Sequence, residues 1–302
     1  MPVTLPSLPD PVLNLEQLAA IEQAASRHAL PGGEGGIVFR SWGEGRPVVL
    51  LHGGSGSWNH WVRNIAALVA AGRQVWIPDL PGFGESARPP GGGDADALPQ
   101  PVEQALQTLL GDASVDLVGF SFGAMVAGFI AAHFPARVRR LVLVGAPAFG
   151  IRPARPMVLK AWNHLPSGAE VDAIHIENLR RLMLSQPSGP VDPLALEIQK
   201  INLPRDRMRL RRLSRTDILL QTLATVDCPV HGIWGSEDAL YTGVITQLAP
   251  ALAKAPDFRG LALIDGAGHW VQFTHAAAFD RALASALADN LPITARQAGN
   301  AE

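Results

Sequence analysis

The sequence predicts an α/β fold: a mostly parallel sheet, helices on both faces, and a helical segment inserted late in the chain. Three observations carry this reading. Short apolar runs alternate with helix-compatible stretches along most of the 302 residues, which is the rhythm of strand–helix–strand units. Pro47–Leu51 is apolar throughout, and so is the Leu141–Val144 part of Val138–Val144, as strands covered on both faces are. From about Ala148 to Val226 the rhythm stops. Helical patches, prolines and many arginines replace it, and a strand pattern resumes only at Pro229.

Taken in order, residues 1–30 read as a leader with one helix, from about Leu15 to His28. Ile37–Trp42 alternates weakly and reads as a strand, and Gly43-Glu44-Gly45 as a turn. Pro47–His52 is a buried strand, followed by a helix over Trp58–Ala71. Val75–Asp79 is the next strand, closed by Pro81-Gly82-Phe83-Gly84. Ala87–Asp96, which contains Gly91-Gly92-Gly93, is a loop. Pro101–Leu110 is helical, with proline at its start. Val115–Phe120, Val138–Val144, Pro229–Trp234 and Gly260–Ile264 complete the strands, and Val271–Leu287 is a closing helix. The expected organisation is a core over residues 1–147, a helical cap over 148–226 and the rest of the core over 227–302.

Composition bounds the function. The chain is 47% apolar and 17% charged, so it can bury a large core without disulfides. A formal charge of −2 argues against an electrostatic nucleic-acid binder. The single cysteine, Cys228, permits no internal disulfide, which fits a reducing compartment. Met1–Asp10 holds three prolines and no signal-peptide pattern. No apolar run reaches the ~18–20 residues of a membrane helix. The expectation is a soluble, cytoplasmic protein with a small-molecule partner, no nucleic-acid or membrane partner, and a homodimer left open. No histidine spacing suits a metal, and neither metal nor organic cofactor is implied.

The chemistry centres on Gly119-Phe120-Ser121-Phe122-Gly123. A short apolar strand precedes it and the helix-compatible stretch Ala124–His133 follows. Strand, tight turn and helix make a loose G-x-S-x-G pattern into a nucleophile elbow. A serine hydroxyl needs a general base, and the base needs an orienting acid. Ile233–Asp238 and Asp265–Trp270 each follow a predicted strand. Residues beyond the carboxyl ends of parallel strands converge on one crevice. Ser121, Asp238 and His269 are therefore the expected triad. Glu237 and Asp265 are the competing acids. Two backbone donors should face the developing oxyanion. The amide of Phe122 is one and that of Gly54 the other, with Ser55 as its neighbouring candidate.

Together, the strand ending in His52-Gly53-Gly54, the Asp79–Ser86 segment, the serine pentapeptide, Trp234–Asp238 and Gly266–Trp270 resemble the α/β-hydrolase family over roughly residues 35–290. The resemblance implies an eight-stranded sheet, a Ser-His-acid triad and a cap that shapes the pocket. By eye the nearest subgroup is the meta-cleavage-product hydrolases, which split carbon–carbon bonds in dienoate ketones. The glycine-rich turn after His52, Trp270 directly after His269, and Gln272–His275 suggest it. Three departures weigh against carbon–carbon chemistry: no proline in the glycine-rich turn, Phe120 before the serine, and Ala124 after Gly123. Ser55, Phe120 and Trp270 are the expected pocket residues.

The remaining residues divide more evenly. His52 is expected to brace the oxyanion turn. His60, His133, His164, His175 and His231 are read as satisfied or surface histidines, and His275 as a helix-surface residue. Arg205, Arg207, Arg209, Arg211, Arg212 and Arg215 crowd one segment behind Arg180 and Arg181. If helical, Arg205, Arg209 and Arg212 share one face and Arg207, Arg211 and Arg215 an adjacent one. They form either a solvated face or a source of one inward arginine that clamps a substrate carboxylate. Met157, Trp162, Leu182, Met183 and Leu184 are candidate cap-wall residues. The functions left open are a carbon–carbon hydrolase, a carboxylesterase, a lactonase, a cofactor-free haloperoxidase or lyase, and a small-molecule receptor on the same fold.

Overall fold

The structure, a computed structural model, describes residues 3–5, 13–31, 36–89, 93–154, 157–166, 168–184, 188–208 and 210–288. Its strands are β1 (Val3–Leu5), β2 (Ser26–Leu30), β3 (Ile37–Trp42), β4 (Arg46–Leu51), β5 (Arg73–Asp79), β6 (Val115–Phe120), β7 (Val138–Val144), β8 (Val230–Gly235) and β9 (Phe258–Ile264). They form one sheet in the order β1-β9-β8-β7-β6-β4-β5-β3-β2. The β2–β3 and β3–β5 pairs are antiparallel and all others parallel. The mostly parallel sheet expected from the sequence is present. Val3–Leu5 adds a short ninth strand, paired in parallel with β9.

The helices are α1 (Leu15–Gln23), α2 (Ile65–Ala70), α3 (Pro99–Leu110), α4 (Phe122–His133), α5 (Ala169–Asn178), α6 (Pro193–Asn202), α7 (Ile218–Leu223), α8 (Leu248–Leu252), α9 (Val271–Thr274) and α10 (Ala276–Leu287). One core lies on each face of the sheet. Phe83, Val126, Leu143 and Trp234 belong to one, and Trp61, Phe120, Val144 and Phe279 to the other. α4 is buried on nearly every side, so it reads as apolar all round rather than as a stripe.

Several elements differ from the sequence expectation. The first helix stops at Gln23, and Ser26–Leu30 pairs with β3 as an edge strand. The ladder, a tertiary interaction, overrides the helical propensity of that segment. Trp58–Ala71 is split into a 3-10 turn at Trp58–Trp61 and α2, and the Trp58 N–H is taken by Asp79 Oδ1 at 3.0 Å. The closing helix is broken at His275, whose φ of −133° and ψ of 49° are not helical. The arginine-rich segment is not a helix. It has 3-10 turns at Leu203–Arg205 and Leu213–Arg215, so the shared-face reading fails. Arg209, Gly91-Gly92 and residues 1–2 and 6–12 of the leader lie outside the described residues.

Between β7 and β8 the described chain forms α5, a π-helical turn at Leu179–Leu184, α6 and α7, with no strand among the described residues. This excursion is tied to the sheet-bearing part by buried polar contacts. Ser57 Oγ donates to Asn202 Oδ1 at 2.9 Å, and Asn202 Nδ2 donates to Asn59 Oδ1 at 2.8 Å. The Trp270 N–H donates to the Met183 carbonyl at 2.8 Å. No helix among the described residues is long and apolar enough to cross a membrane.

Candidate active site

Ser121 lies between β6 and α4 with φ 51° and ψ −116°. For a residue bearing a Cβ this backbone costs on the order of 1–3 kcal/mol and persists only where the surroundings enforce it. Here the enforcement is packing. A Cβ on Gly119 would stand 2.5 Å from Ala124 Cα, and one on Gly123 would stand 2.4 Å from the His52 carbonyl oxygen. The two flanking glycines let strand, helix and the end of β4 meet around the bend. The Ser121 N–H donates to the Val144 carbonyl at 2.8 Å, which locks the turn to β7.

His269 follows β9, and Asp238 follows β8. His269 Nε2 lies 2.9 Å from Ser121 Oγ, and Nδ1 lies 2.9 Å from Asp238 Oδ2. A carboxylate can only accept, so Nδ1 carries the proton and Nε2 accepts from the serine hydroxyl. The second oxygen of Asp238 accepts from the Leu240 N–H at 2.9 Å. Both oxygens are thus held, and the side chain is buried. Glu237 and Asp265 are exposed, which leaves Asp238 as the acid within reach. Gly145 closes β7 between these partners. Such a relay can move a proton from hydroxyl to imidazole while the carboxylate steadies the imidazolium.

The donors expected opposite the serine are also at hand. The Phe122 N–H belongs to the first turn of α4, where no intrahelical carbonyl is available. Gly54 lies alongside: a Cβ placed on it would be 3.7 Å from Phe122 Cβ. His52 orients this loop. Its Nε2 accepts from the Leu80 N–H at 2.9 Å, so Nδ1 bears the proton and donates to the Gly53 carbonyl at 2.8 Å. Burial pushes the His52 pKa down and keeps the ring neutral. The trans peptide then directs the Gly54 N–H the opposite way from the captured carbonyl.

A cavity of about 1050 Å³ opens above Ser121 and His269. Gly53, Gly54, Ser55, Phe120 and Phe122 line its floor, and Met157, Trp162, Leu182 and Met183 its walls. Of the three expected pocket residues, Ser55 and Phe120 lie on that floor, and Trp270 is not among the lining residues. It is buried, stacked on Phe273 with ring centroids 4.1 Å apart, and its Nε1 donates to the His60 carbonyl at 3.1 Å. The backbone turn after His269 sends the next side chain into the core beneath the site. Of the five wall candidates, Leu184 does not reach the cavity.

The charged lining is one-sided. Arg152, Lys160, Arg211 and Arg215 line the cavity, and among the described residues no Asp or Glu does. Arg211 is the arginine that reaches the floor, but its charge is already paired with Asp206. Lys160 is paired with Glu177 at 2.5 Å. His60 was expected to be satisfied or at the surface. It is buried, and its Nδ1 has no hydrogen-bond partner among the described residues. Burial and the neighbouring His52 and His269 hold its pKa well below the usual histidine range. Asp79 was legible only as part of a motif. It accepts from the Trp58 and Glu85 N–H groups and faces Arg40, bracing the loop beside the cavity. Among the described residues no group of three His, Cys, Asp or Glu side chains could hold a metal ion.

Residues 46–169 match the family model described as the alpha/beta hydrolase fold. The chain is 30% identical to a 2-hydroxymuconate semialdehyde hydrolase from a Pseudomonas species, over 82% of this chain and 88% of that one. It is 27% identical to a 2-hydroxy-6-oxo-6-phenylhexa-2,4-dienoate hydrolase from Burkholderia cepacia, over 81% of this chain and 88% of that one. It shares its fold with a meta-cleavage product hydrolase from Pseudomonas fluorescens, with a TM-score of 0.65, 24% identity, and coverage of 83% and 94%.

Proposed function

The chain belongs to the α/β-hydrolase fold family, and on that premise we propose that it is a serine hydrolase in which Ser121, His269 and Asp238 attack a carbonyl carbon. The observation that carries this reading is the continuous relay from Ser121 Oγ through the imidazole to Asp238, with 2.9 Å at each step. As Oγ bonds to the carbonyl carbon, its proton passes to His269 Nε2. The carbonyl electron pair moves onto oxygen, facing the N–H groups of Gly54 and Phe122. Each such donor is commonly worth ~3–4 kcal/mol in the transition state. The tetrahedral species collapses, and the leaving group departs with the bonding electrons and takes the proton from His269. Water, activated by the same imidazole, then frees the acyl group from Ser121.

The substrate class proposed is a 2-hydroxy-6-oxo dienoate or related vinylogous diketone acid, cleaved at a carbon–carbon bond. Cleavage proceeds from the keto tautomer, in which the proton of the 2-hydroxyl has moved to the carbon beside the 6-ketone, so that the electrons of the broken bond are delocalised as a dienolate. The relatives support this choice, because they carry names of that class over most of their length. An anionic substrate also fits a cavity whose described lining holds four cationic side chains and no carboxylate. Arg152 and Arg215, which have no ion pair among the described residues, are the cations left to meet it. Carboxylester hydrolysis is the second reading, favoured by Phe120 in the position before the serine, where it lines the cavity with an apolar ring.

The test is a panel of 2-hydroxy-6-oxo dienoates, p-nitrophenyl esters and lactones, run beside Ser121→Ala. Carbon–carbon cleavage is expected as loss of the substrate's absorbance, whose conjugation extends to the 6-oxo group that the leaving dienolate lacks. Ser121→Ala should lower turnover by at least ~10³-fold. Turnover that survives this substitution would place the chemistry elsewhere. Turnover of esters alone would move the assignment to the second reading. Labelling of Ser121 by a fluorophosphonate without turnover of any substrate would favour a receptor.

A further inference from the structure

We propose that Asp206, on the segment inserted between β7 and β8, is a positioning residue for the oxyanion loop, acting through Ser55 on the peptide that presents the Gly54 N–H. The inference rests on the reading of Ser121 as nucleophile and deepens it. It makes the second oxyanion donor depend on a residue outside the sheet-bearing part of the chain.

Ser55 has φ 53°, a left-handed conformation that side chains other than glycine rarely adopt. Something must hold it there. Ser55 Oγ donates to Asp206 Oδ2 at 2.6 Å and accepts from Arg211 Nη1 at 3.1 Å. Arg211 Nη2 pairs with the same Asp206 oxygen. An ionised carboxylate only accepts and a guanidinium only donates, so the hydroxyl between them has a single satisfied orientation. The triangle is closed.

Asp206 is itself anchored. Its Oδ1 accepts from the Met208 N–H at 3.1 Å. The next residue ties the segment to the loop after β5. The Arg207 N–H donates to the Gly82 carbonyl at 2.8 Å, and Arg207 Nη2 donates to the Gly84 carbonyl at 3.1 Å. Gly54 is therefore held from both sides. His52 fixes the Gly53 carbonyl from the sheet, and Asp206 fixes Ser55 from the insertion. The guanidinium of Arg211 closes over the loop, and a Cβ on Gly54 would stand 3.0 Å from Arg211 Nη1.

An oxyanion donor contributes most when it needs no reorganisation during the reaction. Releasing Ser55 frees that peptide, so the loss should fall on the transition state and leave substrate binding nearly unchanged. Asp206→Asn, Ser55→Ala and the double variant are compared with wild type. The readouts are kcat, KM, the rate of Ser121 labelling by a fluorophosphonate, and the thermal midpoint. Each single variant is expected to lower kcat and the labelling rate by about tenfold or more, the order of one weakened oxyanion donor. KM should stay within about twofold, and the double variant should be no slower than the worse single one, because both break one linkage. Wild-type kcat in both singles, losses that multiply, or losses carried by KM would overturn the inference. Ser55→Ala leaves the insertion's own contacts intact, so it decides the matter if Asp206→Asn lowers the thermal midpoint. A wild-type protein not labelled at Ser121 would instead end the hydrolase reading. Normal labelling in wild type and in both variants would end this inference alone.

Discussion

Gly145 and His269 stand less than one methyl group apart: a Cβ on Gly145 would come within 3.2 Å of both Cε1 and Nδ1 of the imidazole, and within 3.4 Å of Asp238 Oδ2. Gly145 closes β7, which lies between β6 and β8, the strands that carry Ser121 and Asp238. The relay crosses the end of β7 through the gap that a missing side chain leaves. Its φ of 54° also disfavours any other residue. Gly145→Val should displace the ring and lower kcat by roughly 10²-fold, the scale of a misplaced catalytic group. Gly145→Ala should lie between it and wild type. Steady-state kinetics on a p-nitrophenyl ester or a dienoate, alongside circular dichroism to verify folding, checks both.

Asp238→Asn keeps the shape of the acid but lets it donate. The imidazole would then present the wrong tautomer to Ser121, with a proton on Nε2 where the hydroxyl needs an acceptor. The expected loss in kcat is roughly 10³–10⁴-fold with little change in folding. Glu237→Gln, at an exposed position, should stay within about twofold of wild type, since surface substitutions away from a site act weakly. Single-turnover acylation measured for both separates the two acids.

Arg152 and Arg215 lie on neighbouring segments, since the Gly150 N–H donates to the Thr216 carbonyl at 3.0 Å. Replacing both by glutamine should raise KM for a carboxylate-bearing substrate by about tenfold, and leave a neutral ester of equal length within about twofold. Added salt should shrink the difference in wild type. A pair of substrates differing only in that carboxylate, assayed at low and high ionic strength, gives the measurement.

His231 is pushed down to about 4 by burial first, then by Arg140 and Arg259, with Asp257 opposing. Its folded pKa is below its unfolded value near 6.5. The sign follows directly. Above the unfolded pKa the residue has no effect on the pH dependence. As pH falls from about 6.5 to about 4, the unfolded chain takes up a proton that the folded chain refuses, and stability falls. The loss should approach about 3 kcal/mol at the lower end. Urea midpoints between pH 7 and pH 4 should therefore decline in wild type, and decline less steeply in His231→Gln. An unchanged slope would assign the acid sensitivity to other groups, such as the buried His52 and His60, which act with the same sign.

Much of the fold was legible because it is written locally. The buried parallel strands are mostly apolar, and the pentapeptide around Ser121 needs its glycines for contacts visible in their spacing. That strand ends converge brings the acid and the base to one crevice; the choice of Asp238 over Glu237 and Asp265 rests on the resemblance at Trp234–Asp238, and that of Gly54 on the close approach a glycine allows. What was illegible depends on contacts far apart in sequence. The edge strand Ser26–Leu30 exists through its ladder with β3, and nothing in its own composition distinguishes it from a helix end. The arginines looked like a helical face, yet Arg207 and Arg211 are spent on carbonyls and on Asp206, which no spacing reveals. Trp270 stood next to His269 in sequence and pointed away from the cavity in space. Gly145 offered no signal at all, because its importance lies in the partners it leaves room for.

One contact bears on how molecules get in and out. The residue after His269 gives its N–H to Met183, a residue of the cavity wall. Swinging that wall outward would tug on the strand of chain that holds the imidazole. Entry that spares the base has to leave that wall in place, past a lining that includes Arg152 and Arg215.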